Sequence, residues 1–148
     1  MIKTQLDREA ALEIMKLGKQ LHAESRFSDE LFDDQRCWSI LDGTINNPEK
    51  LFIAYDSEYR GFILMVMNQE FFSGKKWAAD LSLYVKPECR GGSLVVRLLD
   101  AAYKWAKEHG ARDVTIFHNT GIDTDKAPQL FGKLGFNMKG YIFVKEIM

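Results

Sequence analysis

The stretch from Leu81 to Leu99 constrains the fold most. It reads Leu-Ser-Leu-Tyr-Val, then Lys-Pro-Glu-Cys, then Arg-Gly-Gly-Ser, then Leu-Val-Val-Arg-Leu-Leu. The first piece is a β-rich run, and Pro87 marks a turn. Gly91 and Gly92 open a loop, and the last piece begins an amphipathic helix. A strand that passes through glycine into a helix N-terminus builds an anion site. The first backbone N–H groups of a helix have no internal acceptor, and the helix dipole adds partial positive charge there. Gly91 and Gly92 carry no Cβ, so the main chain can approach a ligand closely. Arg90 adds a guanidinium whose fork suits phosphate. The expected ligand group is a phosphate or pyrophosphate.

Two familiar phosphate-binding arrangements are excluded. The loop lacks the Gly-Lys-Ser/Thr ending of a P-loop. It also lacks the three-glycine dinucleotide fingerprint, and the chain has too few alternating βα units for a doubly wound fold.

The remaining elements follow from periodicity. Ala11, Ile14, Met15 and Leu21 form a helical stripe that Asp7 can cap. A second helix is predicted after Ser28-Asp29, carrying Leu31, Phe32, Trp38 and Leu41 and ending near Gly43. Leu51–Tyr55 and Phe62–Met67 read as an antiparallel hairpin. Asp80–Val85 reads as a strand with Leu81, Leu83 and Val85 on one face and Asp80, Ser82 and Tyr84 on the other. The helix after the glycine loop buries Leu94, Leu98, Ala101, Ala102 and Trp105, and Gly110 closes it. Val114–Phe117 is the next strand, Ala127–Leu134 a short helix closed by Gly135, and Tyr141–Ile147 a final strand. The order αα-ββ-β-α-β-α-β predicts an α/β domain with one mixed sheet and helices on both faces.

Bulk properties narrow the function classes. A chain of 148 residues suits a single domain and buries roughly 70% of its unfolded surface. A formal charge of −1 argues against a general nucleic-acid binder. Cys37 and Cys89 are too few for a disulfide framework or a metal cluster and read as reduced thiols of a cytoplasmic protein. The N-terminus has no signal-peptide core. The longest apolar run, Phe62 to Met67, is far too short to span a membrane. The histidines have no spaced carboxylate or cysteine partners, so no metal is expected.

The string Tyr84-Val85-x-Pro87-Glu88-x-Arg90-Gly91-Gly92, with Leu98-Leu99 in the following helix, resembles the coenzyme A-binding motif of the GNAT superfamily of acetyl-coenzyme A-dependent N-acetyltransferases. That motif runs Arg/Gln-x-x-Gly-x-Gly/Ala. Arg90 matches its first position, while Ser93 and Val95 replace small residues that contribute backbone N–H groups in the family. Ala127-Pro128-Gln129-Leu130-Phe131-Gly132-Lys133-Leu134-Gly135-Phe136 is similar to the family's last helix. The match covers about Asp80 to Lys145. Thr120-Gly121-Ile122-Asp123 and Phe143-Val144-Lys145-Glu146 resemble small members encoded by phages.

The resemblance implies a mostly antiparallel sheet split at one parallel pair of strands. It implies that acetyl-coenzyme A binds along Leu83, Tyr84 and Val85 and over Arg90, Gly91, Gly92, Ser93, Leu94 and Val95, with Phe131 near its sulfur. Asp80 stands where the phage-type members carry Glu, so it is the candidate base, directly or through a water. The alternative is a polar residue on an open strand edge. Phe131 departs from the family's Tyr, the usual acid for the leaving thiolate, and cannot donate a proton. Tyr84, Ser82, His118 or water are the substitutes. His118 closes a strand and can shuttle a proton, though a hydrogen bond to the following turn is the commoner use. Arg97 either reaches a phosphate or is a solvated arginine.

Glu24, Asp29, Glu30, Asp33 and Asp34 cluster between the first two helices. The family's acceptor site borders that connection, so the cluster is an acidic rim for a cationic amine or simply a solvated helix start. Phe27 and Phe32 are candidate walls of the acceptor pocket. The reading is transfer of an acetyl group to a primary amine, on a small molecule or a protein, by direct attack in a ternary complex. Its rival is a catalytically weak protein of the same fold that engages a protein partner. A homodimer is left open.

Overall fold

The computed structural model describes residues 1–148. In chain order the elements are β1 (Ile2–Lys3), α1 (Arg8–Glu24), α2 (Asp34–Asn46), β2 (Leu51–Asp56), β3 (Gly61–Gln69), β4 (Lys76–Val85), a 3-10 turn (Pro87–Cys89), α3 (Leu94–Glu108), β5 (Val114–Thr115) and α4 (Ala127–Lys133). One sheet runs β1-β2-β3-β4-β5. Every pairing is antiparallel except β4 with β5, which is parallel.

Two apolar clusters sandwich the sheet. On one face Ala54, Ile63, Met65 and Ala78 pack under Leu94, Leu98, Ala102 and Trp105 of α3. On the other, Ile53, Tyr55, Phe62, Leu64 and Tyr84 pack under Ala10, Ile14 and Leu17 of α1 and Leu41 of α2. The two-residue alternation of β2 and β3 is what feeds both clusters.

Asp7 caps α1 as the sequence predicts, accepting the Ala10 N–H at 2.7 Å. The second helix begins later than predicted. Asp33, accepting from Arg36 N–H at 3.1 Å, caps α2, and Leu31 and Phe32 lie before it. The chain ahead of Asp33 is committed elsewhere. Arg26 ties across to residues 119–120 through its N–H to Thr120 C=O at 2.8 Å and its Nε to Asn119 C=O at 2.6 Å. Gly43 does not end α2; the helix runs on to Asn46, and a Cβ at Gly43 would stand 2.5 Å from Leu51 Cδ1. That glycine is a point of close helix-to-strand approach.

β4 carries the decisive irregularity. Leu64 pairs with Ser82 but Met65 pairs with Asp80, so Leu81 is a bulge residue with no partner. One extra residue reverses the alternation. Asp80 therefore shares the Met65 face on the α3 side, rather than lying with Ser82 and Tyr84 as strict alternation predicts.

Two strand expectations fail. β5 is paired only at Ala78↔Val114 and Ala79↔Thr115, shorter than the predicted Val114–Phe117. Tyr141–Ile147 forms no strand: its residues make no backbone hydrogen bond, and Phe143 is 90% exposed. The sheet has no strand beyond β5 to receive it.

Candidate active site

β4 and β5 part immediately after Ala79. At that point Asp80 Oδ1 accepts the backbone N–H of Phe117 at 2.8 Å, replacing the next rung of the parallel ladder. Beyond it, the β5-facing edge of β4 has no strand partner. A cavity of about 840 Å³ occupies the gap. Its floor is β4 from Asp80 to Val85, its far wall residues 116–120 and α4, and its near wall the end of α1 and the connection after it.

The glycine loop lies at one end. No backbone N–H from Gly91 to Val96 has an acceptor within the protein, and the first helical bond is Arg97 N–H to Ser93 C=O at 3.0 Å. Gly91 has φ +88°, a left-handed conformation that glycine adopts without strain. Leu94 is buried and pins the helix start to the core. Gly91, Gly92 and Val95 line the cavity, whereas Ser93 and Leu94 do not. The loop thus presents a run of main-chain N–H groups without acceptors, the arrangement an anion site needs.

Arg90 is placed differently from a free phosphate ligand. Its Nε donates to Val85 C=O at 2.8 Å and its terminal nitrogen to Glu24 Oε1 at 3.1 Å. Its guanidinium lies 5.5 Å from the centre of the Tyr84 ring. Tyr84 is buried, and its hydroxyl donates to Glu24 Oε2. Burial, then the Glu24 carboxylate, pushes its pKa up to about 12. Glu24 therefore ties the end of α1 to β4 and the loop. Sequence reading left the Glu24 cluster as an acidic rim or a solvated helix start; the structure disperses it, with the helix-start reading holding for all but Glu24. Asp33 caps α2, Asp34 stands 3.5 Å from Lys19 Nζ, and Asp29 and Glu30 face solvent.

Asp80 titrates well away from an ordinary carboxyl. Burial raises its pKa to about 6, against the opposing effect of the Phe117 N–H bond. Leu83 and Val85 lie along the cavity floor on the same strand. His118 lies on the opposite lip, its Nε2 buried and without a partner. Phe131 lines the cavity half-buried, edge-on to Phe136 with ring centres 5.7 Å apart. Arg97, one turn into α3, has a buried Nε with no partner.

Phe27 and Phe32 do line the near wall. His22 stands with them, edge-on to Phe32 at 5.6 Å, and its buried Nε2 has no partner. Nothing in the local pattern separates His22 from a structural histidine. Only the turn that carries Phe32 back over α1 brings the two together. Lys126 and Lys133 add positive charge along the α4 wall, another feature that local pattern left unmarked. No group of three or more His, Cys, Asp or Glu side chains gathers in a way that could hold a metal.

Residues 10–136 match the sequence profile of the acetyltransferase (GNAT) family. Solved structures share the architecture at low identity. The aminoglycoside acetyltransferase AAC(6')-Iy, in complex with the bisubstrate analogue CoA-S-monomethyl-acetylneamine, is 17% identical with TM-score 0.75, covering 100% of this chain and 98% of that one. Glucosamine-6-phosphate N-acetyltransferase of Arabidopsis thaliana is 12% identical with TM-score 0.70, covering 100% and 99%. Ribosomal-protein-alanine N-acetyltransferase of Brucella melitensis is 15% identical with TM-score 0.70, covering 99% of each chain. No curated protein sequence matches significantly.

Proposed function

The chain belongs to the acetyltransferase (GNAT) family, and on that premise we propose that it moves an acetyl group from acetyl-coenzyme A to a primary amine by direct attack in a ternary complex. One observation carries the reading: the gap between β4 and β5 runs continuously from a cradle of unused N–H groups to a carboxylate with a pKa of about 6.

The residues divide the work along that gap. The N–H groups from Gly91 to Val96 hold the pyrophosphate, with the α3 dipole behind them. The edge of β4 at Leu83–Val85, apart from the Val85 C=O that Arg90 holds, hydrogen-bonds the pantetheine arm as an added strand would. A backbone N–H of the same edge polarises the thioester oxygen, where charge develops during attack. Phe27, Phe32 and His22 wall the acceptor side. Asp80 takes the ammonium proton, so that a neutral amine attacks the carbonyl carbon. The new C–N bond forms, the nitrogen loses its second proton to water, the C–S bond breaks, and coenzyme A leaves as the thiolate.

Tyr84 is a poor proton source for that thiolate. Its pKa of about 12 lies above an ordinary thiol's, and Glu24 already holds its proton. His118, or water, is the better donor on this geometry. An ordinary thiolate leaves without much help, so Phe131 in place of an acid slows the step rather than forbids it.

A second reading, a weakly catalytic binding protein, draws support from Phe131 and from the Glu24 tie on Tyr84. Thiol release from acetyl-coenzyme A across a panel of amines separates the two. Turnover that depends on the amine supports the enzyme, and binding of coenzyme A without turnover supports the rival. Aminoglycosides, amino sugars and peptide N-termini belong in that panel. The free thiols of Cys37 and Cys89 favour a reducing compartment such as the cytoplasm, and no helix is long and apolar enough to cross a membrane. The phage-type resemblance at Thr120–Asp123 and Phe143–Glu146 adds a host-cell setting to this proposal.

A further inference from the structure

We propose that Glu24 is a positioning residue that acts through Arg90. Its carboxylate holds the guanidinium off the N–H run from Gly91 to Val96, so that the phosphates of coenzyme A meet main chain alone and leave readily. The proposal rests on the acetyl-coenzyme A reading above and adds the residue that sets how tightly the site grips.

Every polar contact of the Arg90 side chain is made with other elements. Its Nε donates to Val85 C=O at 2.8 Å, and one terminal nitrogen reaches both Glu24 oxygens, Oε1 at 3.1 Å and Oε2 at 3.4 Å. The Tyr84 hydroxyl donates to the same Oε2, and the Tyr84 ring centre lies 5.5 Å from the guanidinium. One carboxylate thus gathers the last residue of α1, the end of β4 and the residue that opens the glycine loop. Arg90 is nonetheless the immediate neighbour of Gly91 and lines the same cavity. Its side chain starts beside the N–H run and is drawn elsewhere.

The pair is not a loose surface contact. The Arg90 and Glu24 side chains are 29% and 31% exposed, so water screens them only in part. Tyr84, which shares the carboxylate, is buried. Glu88 is the other carboxylate acting on Tyr84, but it is exposed, and the ion pair of Arg90 is with Glu24. A guanidinium already matched by a carboxylate attracts a phosphate far less than a free one.

Turnover gives the restraint a consequence. Coenzyme A enters as the acetyl carrier and must leave as product, and its phosphates are the same in both. Extra affinity for them would hold product as firmly as substrate and would not speed the chemical step. An arginine withheld from the phosphates therefore favours release.

Calorimetric titration of coenzyme A into four chains tests this: the parent, Glu24→Gln, Arg90→Gln and the double variant. Glutamine at position 24 keeps an acceptor for the Tyr84 hydroxyl and removes the charge that holds Arg90. Glu24→Gln should bind coenzyme A roughly tenfold more tightly, the size of one charge-assisted contact, through slower dissociation. The gain should vanish in the double variant, and also for adenosine, which lacks the phosphates. A merely structural role for Glu24 has the opposite sign, since loosening α1 from β4 would weaken the site. Equal or weaker binding by Glu24→Gln, or a gain that survives Arg90→Gln, overturns the proposal. If Glu24→Gln fails to fold, Arg90→Gln alone decides. A restrained arginine should change coenzyme A affinity by less than about threefold, well below that charged contact. A larger loss means that Arg90 already serves the phosphates and overturns the proposal. Coenzyme A that binds none of the four chains overturns the acetyl-coenzyme A reading itself, and this proposal with it.

Discussion

Asp80 Oδ1 stands 2.8 Å from the backbone nitrogen of Phe117 and holds two parallel strands at the point where they diverge. The same carboxylate is pushed up to a pKa of about 6 by burial. Anchoring the fork and the proposed service as a base therefore fall to one side chain. The bulge at Leu81 is what turns Asp80 to the face where it can do both.

Asp80→Asn separates these roles. Asn keeps an acceptor for the Phe117 N–H but cannot take a proton. If Asp80 is the base, turnover should fall by roughly 10²–10⁴ with little change in coenzyme A affinity. In the parent, kcat/KM should rise with pH and level off above about 6. An Asn variant that retains this limb would remove Asp80 from the mechanism.

The stability of the same variant carries a sign that can be checked. The folded pKa of Asp80 is raised above its ordinary value of 3.8 to about 6. The native state therefore binds the proton more tightly than the unfolded state does, and it loses stability as pH rises through that window. Asp80→Asn has no such loss. Its melting temperature relative to the parent should climb from pH 4 to pH 7, and a flat difference would contradict the buried carboxylate.

Gly91→Ala tests the anion cradle. Nothing lies within 4 Å of a Cβ there, but φ is +88°, so the cost is backbone strain of about 1–2 kcal/mol. Relieving that strain would reorient the N–H groups of the loop. Coenzyme A should bind more weakly, and adenosine without phosphates should be unaffected. Isothermal titration of both ligands measures this, and equal losses for the two would place the phosphates elsewhere.

The parts of this site that were legible in the sequence are those fixed by local rules. Asp7 was readable as a cap, the glycine loop as an N–H cradle, and Asp80 as a carboxylate on a strand beside it. What stayed hidden depends on distant partners. The bulge at Leu81 arises from pairing with β3, and no feature of the Asp80–Val85 run announces it. Arg90 looked free for phosphate because its anchor, Glu24, is 66 residues away. The start of α2 shifted because Arg26 is held by residues 119–120, a contact no local pattern encodes. The segment 141–147 has strand composition, but composition does not supply a partner.

Asp56 is the largest electrostatic commitment outside the site. It is fully buried and held by Arg60 Nε at 2.5 Å. Hydrogen bonding from that guanidinium keeps its carboxyl below the usual range, despite burial. A depressed folded pKa gives stability that is present above the unfolded value and lost as pH falls. Asp56→Ala removes those bonds but leaves Arg60, whose side chain is 39% exposed, free to meet water, so the cost should be about 1.5–3 kcal/mol, the worth of hydrogen bonds to a charged group. Parent and variant should converge in acid, below the ordinary carboxyl range. Chemical denaturation at neutral and acid pH measures both quantities, and a constant gap would mean the ion pair is not the source.

Phe131 offers a gain rather than a loss. Its ring lines the cavity and is only half-buried, edge-on to Phe136. A para-hydroxyl added there can reach the cavity instead of the core, so Phe131→Tyr should change stability little. If protonation of the departing thiolate limits turnover in part, the new hydroxyl supplies a donor with an ordinary tyrosine pKa, unlike Tyr84, which Glu24 holds at about 12. The expected result is a higher kcat with coenzyme A affinity nearly unchanged, the pattern of an interaction made only in the transition state. A buried hydroxyl without a partner would instead lower stability by about 1–3 kcal/mol. Measuring kcat and melting temperature on one variant distinguishes the two. Lower stability with no gain in rate would mean that α4 does not present residue 131 to the thioester.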